Sequence, residues 1–464
     1  MAEPSAPSSP ITKPVAQWLA DAAAHEQAGR LAEAEALLIQ IINAAPDYHP
    51  AVHQAAILSH RRKRPLEAIA RFERVLALAP DLPLIHRNIC EAYRNQGRLD
   101  EAVFHGRRAV ALAPQDPVAI YNLGVIHYDR LEIDQAIAAF RRSLVLDPSN
   151  DGTHFKLAEV LLLSGQFEEG WKEYEHRYGV PGVPPLMPPT DRPQWDGSPM
   201  SGGTLLLIGD QGFGDTIQFS RYIPEVAKRC TTLIMACSSE MQPVLMQQSG
   251  ITRFIQRRGE ALPAFDAYCP LSGLPHRFGT DLGTIPLPNP CLKPDPVKVE
   301  RWRRPVEALV PKGYRRIGLV WAGRPDHGND FNRSIAMQKL GALAALDGVA
   351  LLSVQMGPGR NQIGRYFGRA PMIDLGGEIK DFSDTMGILA HVDRLVTVDT
   401  GVAHLAGSMG KPVSILLPFA PDWRWLRDRT DTPWYPTVTL HRQDAPGDWD
   451  SAIAKLLQTL EAER

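Results

Sequence analysis

Four prolines, Pro46, Pro80, Pro114 and Pro148, stand 34 residues apart in the phrases NAAPDY, ALAPDL, ALAPQD and VLDPSN. A period held this often restricts the first third of the chain to a repeat architecture. Counting back from each proline, a small residue recurs as Ala34, Ala68, Ala102 and Ala136. Four positions later a large residue follows as Leu38, Phe72 and Phe140, with Gly106 departing in the third repeat. The phrases GRLAEAEALL, GRLDEAVFHG and EIDQAIAAF each open a second helix, and LAEVLLLSGQFEEGWKEYEHRY continues the register as a partial fifth unit. A helix hairpin of this kind cannot bury its apolar face alone. Stacking several makes one continuous core and a concave groove. Cys90 falls in the small-residue slot of its first helix and is read as a packing residue. The run Arg61, Arg62, Lys63, Arg64 falls at a helix–helix turn and is expected to be a solvated turn, with an anionic-partner site as the alternative.

Over residues 15–178 the pattern resembles the tetratricopeptide repeat. The resemblance implies a groove that binds a peptide or protein, or else an array that only supports the rest of the chain or mediates self-association.

The whole chain has 464 residues, enough for about three domain-sized units. Its hydrophobic fraction of 44% and charged fraction of 22% exclude wholesale disorder. The formal net charge of -2 gives no reason to expect a nucleic-acid partner. The five cysteines form no CxxC pair, so they read as reduced structural thiols. Residues 1–14, MAEPSAPSSPITKP, lack an apolar core and read as a flexible tail rather than a secretory signal. No run of 18 apolar residues occurs, so a soluble, cytoplasmic protein without an integral membrane segment is expected.

Residues 179–203 are rich in proline and glycine, which cannot sustain a helix or central strand, and are expected to form an extended linker anchored at Trp195. From Thr204 onward, short apolar runs alternate with helical stretches. The strand-like runs lie at 204–208, 231–236, 253–256, 266–271, 315–323, 349–354, 372–375, 394–398, 412–417 and 437–441. Such alternation implies parallel-sheet α/β halves, here 204–310 and 311–464, with a ligand cleft at the carboxyl ends of the strands. A last amphipathic helix, DWDSAIAKLLQTLEAE, is expected to cross back to the first half.

Three loops carry candidate chemistry. In GDQGFGDTIQF (209–219), Gly209, Gly212 and Gly214 let the backbone turn tightly beside a ligand, with Gln211 in the same loop. Ile217 replaces the last glycine of a dinucleotide fingerprint, and Asp215 is either a helix cap or a general base. In VTVDTGVAHLAGSMGKP (396–412), a strand ends at Asp399, and Thr400 and Gly401 open a helix whose N–H groups suit a phosphate. His404 sits one turn further on, as a phosphate neighbour or as a satisfied interior histidine, and Lys411 is expected to stay clear of the ligand. In GLVWAGRPDHGNDFNRSI (318–335), Arg333 offers a planar cationic fork to a phosphate or makes a surface salt bridge.

Gly214-Asp215 and the D-T-G-x-x-H segment Asp399, Thr400, Gly401, His404 resemble the two-domain glycosyltransferases of the lipopolysaccharide heptosyltransferase kind. That resemblance covers 204–464 and implies a GT-B-like pair of Rossmann-type α/β domains. It also implies Asp215 as the base, and Asp399, Thr400, Gly401 and His404 around the donor, with Arg333 where the family has lysine. The phrases DQGFGDTIQFSRY, NRSI, DTGVAHLAG and FAPDWRWL, together with the repeats, are similar to bacterial tetratricopeptide-linked glycosyltransferases, some of which modify flagellin or other proteins. The expected fold class is thus an α-solenoid followed by α/β domains. The expected activity is inverting, metal-independent transfer of a sugar from a nucleotide-sugar, a substrate rather than a cofactor. Gly212, Gly214 and Gln211 would form the acceptor loop. Trp423 and Trp425 would offer stacking faces or belong to the core, and Asp448-Trp449-Asp450 would cap the last helix. Two alternatives stay open: a lipopolysaccharide or glycan acceptor, and a non-catalytic repeat scaffold.

Overall fold

A computed structural model describes residues 14–186, 190–257, 261–287 and 290–463. The expected tail, residues 1–14, lies outside the described residues except for Pro14. By their contacts the residues form two bodies, one up to Leu157 and one from Ala158 to Arg464.

The first body is helical. Its elements are α1 (Val15–Gln27), α2 (Leu31–Ala44), α3 (His49–Arg61), α4 (Pro65–Leu78), α5 (Pro83–Arg94), α6 (Leu99–Leu112), α7 (Pro117–Asp129) and α8 (Ile133–Leu146). The helical series runs on through α9 (Asp151–Leu163), within which the first body ends, to α10 (Phe167–Tyr174), which belongs to the second body. Each periodic proline follows the last residue of a second helix by two positions, where it stops the helix from continuing. Ala34, Ala68, Ala102 and Ala136 are fully buried, and so are Leu38 and Phe140. Gly106 departs from the pattern because Leu123 occupies its space: a Cβ there would lie 3.2 Å from Leu123 Cδ1. Cys90 is buried in the same core as Phe72 and Ile89, in its expected packing role.

A second marker of the period emerges from the backbone. Gly29, Lys63, Gly97, Leu131 and Gly165 all take positive φ, at 75°, 57°, 71°, 56° and 81°, at the turn inside each hairpin. Three are glycine, which adopts this conformation without a Cβ clash; Lys63 and Leu131 are strained. Leu131→Gly is therefore expected to stabilise the helical body by about 0.5–1 kcal/mol, read as a higher urea midpoint at unchanged slope. A lower midpoint would mean that the Leu131 side chain contributes more than its backbone strain costs. The Arg61–Arg64 turn is not an open cationic patch. Arg61 pairs with Glu26, and Arg62 and Arg64 both pair with Glu35.

The second body contains two parallel sheets. The first is built from β1 (Met200–Ile208), β2 (Cys230–Cys237), β3 (Arg253–Gln256) and β4 (Ala267–Pro270), in the order β3-β2-β1-β4. The second is built from β5 (Arg315–Val320), β6 (Val349–Ser353), β7 (Met372–Asp374), β8 (Arg394–Val398), β9 (Val413–Leu417) and β10 (Val438–Arg442). Its order is β10-β9-β8-β5-β6-β7. Strand order reverses between β5 and β8, and a crevice opens there at the carboxyl ends. β6, β8 and β9 are buried along their whole length, as parallel strands covered on both faces must be.

Helices fill the connections. Around the first sheet they are α11 (Phe213–Phe219), α12 (Ile223–Ala227), α13 (Gln242–Leu245) and α14 (Leu274–Arg277). Then come α15 (Pro296–Leu309), α16 (Asp330–Arg333), α17 (Gly341–Ala344), α18 (Phe382–Leu389), α19 (Gly401–Ser408) and α20 (Trp449–Ala462). α15 packs on α18, where the buried Asp384 accepts from Lys298 Nζ at 2.8 Å and Trp302 Nε1 at 3.2 Å.

Two expectations are corrected. Residues 200–203 are not linker but the start of β1, where a register shift between Met200 and Thr204 accommodates Gly202 and Gly203. The linker's anchor is as expected: Trp195 is buried, and its N–H donates to Ser198 O at 2.8 Å. The final helix, α20, does not cross back to the first half. Ala452, Ile453, Leu456 and Leu460 are buried with Ile317, Val396 and Leu416 of the second sheet. Glu463 then pairs with Arg315 and Arg394 of that same sheet. Asp448 caps the helix as expected, accepting from Ser451 N–H at 3.1 Å.

Candidate functional site

A cavity of about 530 Å³ lies between the carboxyl ends of the two sheets. Gly212, Gly214 and Asp215 line it from the loop after β1 and the start of α11. From the second sheet come Gly323 and Arg333 after β5, Gln355 after β6, Asp399 to His404 after β8, and Asp422 and Arg424 after β9. The site residues expected from the sequence share this cavity except Gly209 and Gln211, which line a neighbouring pocket of about 320 Å³ that also contains Gly212.

The close approach of α11 and α19 requires small residues. A Cβ on Gly214 would sit 3.0 Å from His404 Cδ2 and 3.5 Å from Gly401 Cα. Asp215 is the third residue of α11, so it faces back to the helix start. Its Oδ2 accepts from Gly212 N–H at 2.9 Å, and its Oδ1 is paired with the Arg424 guanidinium. Asp215 caps the helix start through the N–H of the N-cap residue Gly212, and it also lines the cavity. Burial raises its pKa above the ordinary aspartate value, and Arg424 opposes that shift.

At the second sheet, no side chain caps the first turn of α19, and Thr400, Gly401 and Val402 line the cavity. Thr400 Oγ1 instead turns back to Thr397 Oγ1 at 3.2 Å. The first-turn N–H groups and the helix dipole there suit an anion. Asp399 is held up to about 6, first by burial and then by the neighbouring Asp422 carboxylate. Arg333 makes the expected salt bridge, Nε pairing with Asp330 Oδ1 at 3.3 Å, and the residue lines the cavity.

His404 is a satisfied interior histidine that also borders the cavity. Its Nδ1 shares a hydrogen bond with Tyr435 Oη at 2.9 Å, and its ring stacks on Trp425 at 5.1 Å. Burial, aided by Arg424, pushes its pKa down to about 3, so it is neutral at physiological pH and brings no cation to a phosphate. Trp423 and Trp425 are core residues, not open stacking faces, being 2% and 0% exposed. Lys411 lies outside the cavity, with its ammonium 3.4 Å from Ala390 O.

Sequence reasoning places Arg424 near the cleft within FAPDWRWL but gives it no role, and it misses Gln355. Arg424 lies over the Trp423 ring at 4.2 Å, and its fork donates to both Asp422 oxygens at 2.8 and 3.0 Å. Its Nε donates to Gln218 Oε1 at 2.7 Å. Gln355 Oε1 accepts from the N–H groups of Trp321 and Ala322, both at 3.0 Å, and so fixes the loop after β5. The signal for Arg424 is its place in DWRW, between two tryptophans that the fold buries.

Residues 61–117 match the tetratricopeptide repeat family, and residues 95–176 match the family described as anaphase-promoting complex, cyclosome, subunit 3. Protein FlbA of Caulobacter vibrioides is 23% identical over an alignment of 333 residues that covers 66% of this chain and 54% of that protein. The chain thus spans about half the length of this curated relative. Among solved structures, MamA from Desulfovibrio magneticus RS-1 is 19% identical, with 36% of this chain and 92% of that chain covered and a TM-score of 0.32. PilF of Pseudomonas aeruginosa is 16% identical, with 46% and 85% covered and a TM-score of 0.36. The described residues include no helix long and apolar enough to cross a membrane. The chain contains tetratricopeptide repeats, a repeat class suited to binding another protein, ahead of a region of parallel sheets and helices.

Proposed function

We propose that this protein is a glycosyltransferase of GT-B-like architecture, working in the cytoplasm. It moves a sugar from a nucleotide-sugar to a protein hydroxyl, and its repeats recruit the acceptor protein, flagellin being one candidate. The observation that carries this reading is the convergence of Asp215 from the first sheet with the α19 start, Asp399 and Arg333 from the second on one cavity. In the proposed reaction the acceptor hydroxyl attacks the anomeric carbon and the bond to the leaving phosphate breaks, with inversion. Asp215 takes the hydroxyl proton. The leaving diphosphate carries away the bonding electron pair, and its charge is met by the α19 N–H groups and by Arg333 once it parts from Asp330.

A thermal-shift screen of nucleotide-sugars tests the donor half of this reading. At a hundred times Kd, a ligand specific to the native state stabilises it by about 2.7 kcal/mol, enough for a rise of several degrees. One nucleotide class is expected to give that rise. Arg333→Ala should reduce it, and Asp215→Ala should keep it. No shift with any nucleotide or nucleotide-sugar would sink the proposal. A second reading, a non-catalytic scaffold, draws on the pairing of Asp215 with the Arg424 guanidinium, which makes the carboxylate a weaker base.

A further inference from the structure

The last helix of the repeat run is built into the α/β body. Phe167, Trp171 and Tyr174 of α10 are each 2% exposed. Trp171 meets Trp423 edge-on at 5.3 Å, and its indole N–H donates to Thr280 O at 2.9 Å. Phe167 stacks against Trp434 at 6.3 Å. The apolar face that a further repeat would cover is thus covered by the side chains around the sheets.

Two polar contacts run from this helix and the turn after it to the loop that carries Asp215. The Tyr178 hydroxyl donates to Asp210, whose other oxygen accepts from Ser272 N–H at 3.0 Å. The Tyr174 hydroxyl donates to Gln211 Oε1 at 3.0 Å. Gln211 has a φ of 57°, one of four described non-glycine residues in the left-handed region. Lys63 and Leu131 are accounted for by the repeat turns. The other two, Gln211 and Leu426, flank the segments that bring Asp215 and Arg424 together. A strained backbone of this kind persists only where its surroundings over-determine it. The Gln211 side chain is exposed, so packing does not hold it; the Tyr174 hydroxyl does.

We propose that Tyr174 is a positioning residue for the loop carrying Asp215, tethering Gln211 in its left-handed conformation so that Gly212 N–H and Asp215 stay aligned at the cavity. The role in turnover rests on the reading of Asp215 as the base; the tether itself does not. On this assignment α10 serves the reaction, and partner binding is left to the helices before it.

The test uses the full-length protein with Tyr174→Phe, which removes only the hydroxyl, and Gln211→Gly, which removes both tether and strain. Hydrogen–deuterium exchange in Tyr174→Phe is expected to be at least threefold faster across 209–219 and unchanged across 99–112. Sugar transfer should lose five- to twentyfold in kcat, with the donor KM within twofold. Gln211→Gly should show a similar loss in kcat at an equal or higher Tm. Adding Tyr174→Phe to it should change nothing further, because the two residues act as one unit. Unchanged exchange across 209–219 in Tyr174→Phe would overturn the tether. So would equal acceleration across 167–178 and 209–219 with a lowered Tm, which would mean a packing role alone. Exchange that responds as expected while transfer ignores Asp215→Ala upholds the tether and rejects the base, so the two failures are distinguishable.

Discussion

Asp215→Ala is expected to lower sugar transfer by a factor of about 10²–10⁴, the usual contribution of a positioned general base. The loss should fall on kcat. The donor-side groups, Arg333 and the start of α19, come from the other sheet and make none of the hydrogen bonds or ion pairs to Asp215 described above. Stability should change little. Arg424 keeps its two bonds to Asp422 and the one to Gln218, so no buried guanidinium is left unpaired. The pH dependence has a definite sign. A base works ionised, so kcat/KM should rise with pH through the pKa of Asp215. Burial holds that pKa above the ordinary aspartate value, and the acid limb of the profile should be displaced upward accordingly. Steady-state assays of wild type and variant across pH 4–9 measure both effects. Transfer within twofold of wild type in Asp215→Ala would remove Asp215 from the role of base.

The largest effect on stability is expected from Arg424→Met. The guanidinium is about 10% exposed and pairs with both Asp422 and Asp215. Methionine still covers Trp423 but leaves two partly buried carboxylates without their counter-charge. Removing one partner of such a pair costs about 3–5 kcal/mol, more than the pair contributes when intact. The cost should depend on pH. Arg424 lowers the native pKa of Asp422. A depressed carboxylate adds stability above its unfolded pKa, near 4, and that stability is lost as pH falls through the native value. Loss of Arg424 forfeits that stabilisation at neutral pH, whereas in acid the protonated carboxyls need no partner. Urea unfolding at pH 7.5 should therefore show the full deficit, which should shrink only as the pH falls below about 4, through the depressed native pKa of Asp422. A deficit below about 1 kcal/mol at pH 7.5 would show that water solvates the two carboxylates once the guanidinium is gone.

Legibility differed sharply between elements. The strand at 394–398 was readable to the residue, because the four consecutive apolar or β-branched positions Leu395, Val396, Thr397 and Val398 in a buried parallel strand leave a continuous signal. The start of β1 was hidden because Gly202 and Gly203 read as linker, and a bulge admits what local propensity excludes. The docking of α20 was misjudged because amphipathicity says that a helix buries one face, never against which sheet. In the site, Asp399, Thr400 and Gly401 were found from a local strand–helix junction. Arg424 could be placed near the cleft but given no role, because its partner Asp215 lies 209 positions earlier in the chain.

The sequence by itself determined the 34-residue period, the alternation of strands and helices, and the loops at which a strand hands over to a helix. These are periodic or nearest-neighbour properties, set by side-chain spacing and backbone preference. Only the tertiary structure decided that His404 is neutral, that Trp423 and Trp425 are core, and that Asp215 is paired. It also decided that α10 packs among the side chains around the sheets. Each of these depends on groups far apart in sequence sharing a small volume. There, burial and the nearest charge set protonation and pairing, and no local pattern encodes which distant residue will arrive.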